Sequence, residues 1–204
     1  MKAKASRDRI LDAAAEEFAE AGLAGARVDS IARRAGVNKA MLYYRVGGKE
    51  DLYREVLLRA QAILRAGLEA DLEGESDPSK ALRAYVWGFI DFARRHPEVP
   101  SIVLREVAGS FATMPEEAVD GLRGMLDILT GILERGIAEG AFPDEGLDPY
   151  SVQLTVTVAA VAASRGGPAL EQMGVEPGEV AERVVEMLLR GVGCGTASRR
   201  KEER

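Results

Sequence analysis

The chain has 204 residues, 33 Asp and Glu against 27 Lys and Arg, a formal charge of −6, one His and one Cys. That length suits one domain or two small ones, and 47% apolar residues suffice to bury a core, which excludes a disordered tail. His96 and Cys194 alone cannot build a Cys/His zinc site, a disulfide or an obvious Cys–His nucleophile pair. A carboxylate-bound metal and carboxylate acid/base chemistry stay open on composition alone.

The longest nearly unbroken apolar stretch, 152–163, contains Gln153, Thr155 and Thr157 and falls short of the roughly 20 residues that cross a bilayer. No membrane partner is expected. The basic start, Met1-Lys2-Ala3-Lys4-Ala5-Ser6, leads into Arg7-Asp8-Arg9 instead of an apolar run, so it lacks a secretory pattern and the expected compartment is the cytoplasm. Charge is unevenly placed: residues 1–49 hold ten basic and six acidic side chains, +4, and the remainder 17 and 27, −10. A basic head on an acidic body is the footprint of a nucleic-acid module. A chance asymmetry of solvated faces would give the same charges.

Ile10, Leu11, Ala14 and Phe18 repeat at three and four residues, which predicts a helix over 9–20 with Ser6 placed to cap it and Gly22 near its end. A short helix follows over 28–34, broken at Ala35-Gly36-Val37, and Asn38 can cap a third through Tyr44 before Gly47-Gly48 stops it. Lys49 opens a long helix with Leu52, Val56, Leu57, Ile63, Leu64 and Leu68 on one face, fading in the polar stretch 73–78. Further helices are predicted over 79–95, 98–110, 115–139, 149–166 and 177–192, so the class is all-α. Val152, Leu154, Val156 and Val158 alternate as in a strand. Helix is still the reading, because the apolar character continues to Ala163 and no second strand offers pairing. The Arg-rich end, 194–204, reads as a frayed tail.

Two short helices joined by a tight Gly-containing turn inside the basic segment form a helix-turn-helix pattern. Helix 28–34 would brace across the phosphate backbone while helix 38–45 enters the major groove, which is wide enough to admit it. Gly36 stands where the turn needs a left-handed residue, and Ile31, Ala32, Val37 and Leu42 would fix the interhelical angle. Spacing alone leaves a three-helix bundle without DNA binding as the alternative.

Residue detail narrows this. Ile10-Leu11-Asp12-Ala13-Ala14 with Phe18 and Gly22, then the run from Val28-Asp29-Ser30-Ile31-Ala32 through Gly36-Val37-Asn38-Lys39-Ala40-Met41-Leu42-Tyr43-Tyr44, and Gly48-Lys49-Glu50-Asp51-Leu52 together resemble the tetracycline-repressor (TetR) family of bacterial transcription regulators. The resemblance covers about residues 7–53 and is far more specific than helix-turn-helix spacing. It implies an all-α subunit of about nine helices, three forming the DNA-binding domain and the others a ligand-binding and dimerisation bundle. It also implies repression relieved by a small molecule. The corresponding division is 1–48, 49–193 and the tail 194–204. The chain departs from the family at Ala26 and Gly48, where capping side chains are usual, and at Arg45 and Val46, where aromatic residues or His and then Phe are usual. A slightly looser head is expected.

Side-chain chemistry, with the family's placement of the reading helix, makes Asn38, Lys39, Ala40 and Met41 the readers. Lys39 can donate to guanine O6/N7 or to phosphate, and Ala40 and Met41 can touch a thymine methyl. Tyr43, Tyr44 and Arg45 suit phosphate, Arg45 also guanine, and Lys49 at a helix start is the expected phosphate anchor; Tyr43 partly buried in the head is the competing reading.

One head offers too little contact for tight selection, so a homodimer on a palindromic double-stranded operator is expected, joined through helices 149–166 and 177–192. Ordinary intrachain core competes with that joint. The effector is expected to be small and hydrophobic, lined by Phe89, Phe92, Phe111, Met125 and Leu129 with Arg105 and Gln153 as polar anchors. Plain core explains each of those residues as well. Four interior glycines, Gly121, Gly124, Gly131 and Gly136, signal close packing or compliance in one helix, and Trp87 falls on the polar side of another. No nucleophile–base pairing, phosphate-binding loop or metal-ligand cluster is evident, so no enzyme, metal or cofactor is expected; the rival is a protein-interaction module whose helix-turn-helix is idle.

Overall fold

A computed structural model describes residues 2–143 and 148–164, with six single positions between 172 and 187. Its elements, in order, are α1 (Lys2–Gly25), α2 (Val28–Ala35), α3 (Lys39–Val46), α4 (Lys49–Leu72), α5 (Pro78–Arg95), α6 (Glu98–Ala108), α7 (Glu116–Ala138) and α8 (Pro149–Ser164). The all-α class holds for the described residues. The helix expected over 177–192 and the tail 194–204 lie outside the continuously described residues. No described helix is long and apolar enough to cross a membrane.

The chain divides into two compact units, Met1–Ile63 with Glu98–Gly121, and Leu64–Pro97 with the chain from Leu122. In the first, α1 packs against α2, α3 and α6. Its core joins Ile10, Ala14 and Phe18 to Ile31, Leu42, Leu52, Leu57 and Ile102. The three-helix head therefore shares its apolar centre with the start of α4 and with α6, an arrangement no local pattern announces. Burying an aliphatic or aromatic side chain stabilises by about 1.5–3 kcal/mol, and fully buried Phe18, Ile31 and Leu42 hold α1, α2 and α3 together.

Ser6 is not a cap. Helix α1 starts ahead of it at Lys2, and Ser6 is buried with its Oγ lacking a hydrogen-bond partner among the described residues. The regular part of α1 is interrupted at Gly22, whose φ of 68° suits a residue without Cβ.

A second buried polar group lies between α4 and α6. The Tyr53 hydroxyl and the Thr113 hydroxyl both donate to Glu106 Oε1 at 2.5 Å. Glu106 Oε2 is buried without a hydrogen-bond partner among the described residues. Burial, then the bond to Glu106, pushes the Tyr53 phenol well above its ordinary pKa.

In the second unit α5 packs on α8. Asp77 caps α5 by accepting from the Ser79 and Lys80 N–H groups, with Pro78 in the first turn. Leu82, Tyr85, Val86, Phe89, Ile90, Phe92 and Ala93 turn inward. Trp87 stays half-buried, with the Arg94 guanidinium 5.9 Å from its ring centre.

The alternating segment is helical. Val152, Val156, Ala159 and Ala160 are its buried residues, a helical period. The polar residues behind the strand-like pattern are satisfied inside the helix, Thr155 Oγ1 donating to the Ser151 carbonyl and Thr157 Oγ1 to that of Gln153.

The glycines of α7 are mostly packing glycines. A Cβ on Gly121 would meet the Gln61 amide, one on Gly124 would lie 3.2 Å from Arg65 Nη1, and one on Gly136 would fall on the Phe142 ring; Gly131 faces open space.

Candidate nucleic-acid interface

The turn between α2 and α3 is built as its sequence suggests. Gly36 sits at φ 66°, ψ 35°, and its N–H and that of Val37 return to carbonyls of the last turn of α2. Asn38 then caps α3, its Oδ1 accepting from the Met41 N–H at 2.7 Å. Leu42 and Val46 are the buried residues of α3. At about 100° per residue, Ala40 and Tyr44 lie opposite them, with Lys39 and Tyr43 on one flank and Met41 and Arg45 on the other.

Exposure follows that geometry. Tyr44 is 90% exposed, Tyr43 46% and Met41 40%. Lys39 and Ala40 are exposed, and Arg45, in the last turn, is half-buried. Tyr44, Tyr43 and Met41 thus cover the outer face of a helix eight residues long with large exposed side chains.

At the starts of α2 and α4 a carboxylate takes the N–H of the capping residue itself, and the N-cap of α2 is Arg27, one position after Ala26. Arg27 occupies the N-cap of α2 without a side-chain cap bond, and its N–H donates to Glu17 Oε1 of α1 at 3.1 Å. Ala26 is buried beside it. Gly48 donates its N–H to Asp51 Oδ2 at 2.8 Å, the returning half of a capping box. Asp51 was accessible to sequence reasoning through its three-residue spacing from Gly48; Glu17 was not.

Ion pairs brace the rest of the head. Arg34 of α2 meets Glu16, Glu17 and Glu20 of α1, and Glu20 and Glu16 push its pKa further up. Lys39 Nζ lies 2.9 Å from Asp29 Oδ1 and 3.1 Å from Oδ2, and this bond raises the pKa of the ammonium. Lys49 Nζ donates to the Ala24 carbonyl at the end of α1, at 3.3 Å.

The residues expected to line an effector site divide between the units. Phe89, Phe92, Met125 and Leu129 are buried in the second, where the buried Tyr85 hydroxyl lies 2.6 Å from Gln153 Oε1 and 3.1 Å from the Met125 carbonyl. Burial pushes the Tyr85 phenol up in pKa. Arg105 and Phe111 belong to the first unit. There Arg105 donates to the carbonyls of Ala19 and Glu20 near the end of α1, a role its sequence neighbourhood does not signal.

Residues 10–56 match the profile of bacterial regulatory proteins of the tetR family. The HTH-type transcriptional repressor NicS of Pseudomonas putida is 34% identical over 152 residues, 71% of this chain and 69% of that protein. The chain belongs to the TetR family. The HTH-type transcriptional activator FasR of Mycolicibacterium smegmatis is 29% identical over 158 residues, 78% of this chain and 68% of that protein. The crystal structure of the TetR-family regulator PfmR from Thermus thermophilus superposes with a TM-score of 0.66 at 26% identity, covering 90% of this chain and 95% of that one. As a TetR-family member the chain is a DNA-binding transcription regulator. The relatives are named as regulators, not as enzymes.

Proposed function

We propose that this TetR-family chain is a cytoplasmic, ligand-responsive repressor that binds a palindromic operator as a homodimer, one α3 in each of two successive major grooves. The observation that carries this reading is the outer face of α3, where Ala40 and Tyr44 stand clear of the core between Lys39–Tyr43 and Met41–Arg45. Asn38, Lys39, Ala40 and Met41 read base edges, Tyr43, Tyr44 and Arg45 contact phosphate, and Lys49 anchors the start of α4 to the backbone. Repression is the sign carried by the name of NicS.

Tight selection needs a second head at fixed spacing. The joint runs through α8 and the segment 177–192, and exposed Tyr150 and Val158 on α8 support it. The effector is a small hydrophobic molecule whose polar group meets Gln153 and Tyr85 among Phe89, Phe92, Met125 and Leu129 in the second unit. It favours a shape in which the heads no longer match successive grooves, and the shift is limited by its preference for that shape.

Selection of bound duplexes from a random pool, with and without hydrophobic ligands, tests this. An inverted repeat whose retention a ligand lowers is the expected result. Recovery of no sequence above background, with retention of other proteins instead, would favour an interaction module.

A further inference from the structure

Of the six carboxylates in the basic head, at positions 8, 12, 16, 17, 20 and 29, Asp29 is the one whose described contacts reach the reading helix. Glu16, Glu17 and Glu20 are taken up by Arg34, and Asp12 pairs with Arg59 of α4. Asp29 stands in the first turn of α2 and holds the Lys39 ammonium with both oxygens, at 2.9 and 3.1 Å. Both side chains are half or more exposed, so the pair is open to whatever approaches the start of α3.

An ammonium has three N–H donors, and the Asp29 carboxylate engages it with both oxygens, its negative charge lying directly against the cation. A phosphate approaching Lys39 therefore meets a carboxylate beside the cation and gains little from a nearly neutral pair. Guanine O6 and N7 are neutral acceptors. They suffer far less repulsion from Asp29, and they can replace its oxygens on the ammonium in the geometry of a major-groove contact. We propose that Asp29 is a specificity-determining residue: by holding Lys39 it turns a cation that would grip any phosphate into one that favours guanine edges. This rests on α3 entering the groove as proposed above.

The test is fluorescence anisotropy across a salt series, with a random-sequence duplex and with the duplex recovered by selection. The proteins are wild type, Asp29→Asn, Asp29→Glu, Lys39→Ala and the Asp29→Asn/Lys39→Ala double variant. Asp29→Asn should bind the random duplex about two- to fivefold tighter, the span expected for releasing one exposed pair. Its log–log salt slope should steepen by up to about 0.9, and its preference for the selected duplex should shrink. Asp29→Glu keeps the charge and should retain the wild-type preference. In the Lys39→Ala background, Asp29→Asn should gain little.

Unchanged affinity, slope and preference in Asp29→Asn would overturn the inference while leaving groove binding intact. An equal gain with and without Lys39 would overturn it too, because Asp29 would then act as a general repulsive charge. Wild-type protein that ignores both duplexes at low salt would overturn the groove reading and the inference together.

Discussion

Gly131→Ala and Gly136→Ala make the same chemical change on one face-exposed and one buried position of α7, and they should move stability in opposite directions. Gly131 is exposed and a Cβ there meets nothing within 4 Å. The substitution should therefore yield the ordinary helix-interior gain of about 1 kcal/mol. At Gly136 the same gain is opposed by Phe142. The chain reverses at Gly140, φ 74°, so that the N–H groups of Ala141 and Phe142 both return to the Gly136 carbonyl, and the Phe142 ring, 4% exposed, covers Gly136. A methyl group there lands on the ring and must displace it. Losing most of a buried Phe costs about 2–3 kcal/mol, which leaves Gly136→Ala a net 1–2 kcal/mol destabilised, by the same rough accounting. For a chain of this size, thermal unfolding should rise by about 2–4 °C for Gly131→Ala and fall by about 2–8 °C for Gly136→Ala. Adding Phe142→Ala removes the obstacle, so in that background Gly136→Ala should become neutral or stabilising. Shifts of equal sign and size at the two glycines, or the same loss at Gly136 without the ring, would refute the packing argument.

Other substitutions test the head and α8. Tyr53→Phe removes one of two donors to buried Glu106 and should lower stability by about 1–3 kcal/mol in denaturant unfolding. Lys49→Ala should weaken binding to all duplexes alike and flatten the salt slope by about 0.9, whereas Lys39→Ala should change base preference; wild-type binding by Lys49→Ala would remove its phosphate role. Asp148 at the start of α8 accepts from the Ser151 N–H and hydroxyl, and these bonds hold its carboxyl below the ordinary range. Its contribution is thus complete above its unfolded-state pKa and is lost as pH falls through the lowered folded value. Unfolding of wild type and Asp148→Ala should converge at acid pH and separate above it, with wild type the more stable.

Local chemistry made much of the fold legible. Gly36, Asn38 and Gly47 mark the ends of α2 and α3 because turns and caps are written within three or four residues. Asp148-Pro149 does the same for α8; Asp77-Pro78 starts α5 by the same chemistry, in a stretch that reads from sequence only as the fading end of the helix before it. The strand-like alternation of α8 did not displace the helix reading, which holds: the Thr155 and Thr157 hydroxyls are satisfied along the helix. Ser6 did mislead, since it looks like a cap yet is buried within α1.

What stayed hidden depends on distant pairs. Arg105 reaches carbonyls 85 and 86 positions away, and Glu106 meets Tyr53 across 53. Neither spacing leaves a periodic trace. At the interface, the exposed residues of α3 could be named from helical geometry and the family resemblance. The partner of Lys39 could not, because Asp29 lies on another helix and only folding brings them together.

The proposed homodimer brings two copies of α3 to one duplex. Anisotropy titration of the selected duplex at rising salt reads this most directly, through stoichiometry and slope together. Two chains per duplex are expected, with a log affinity that falls linearly with log salt, by roughly 0.9 for each phosphate neutralised. A single chain bound per duplex, or no retention at low ionic strength, would contradict it.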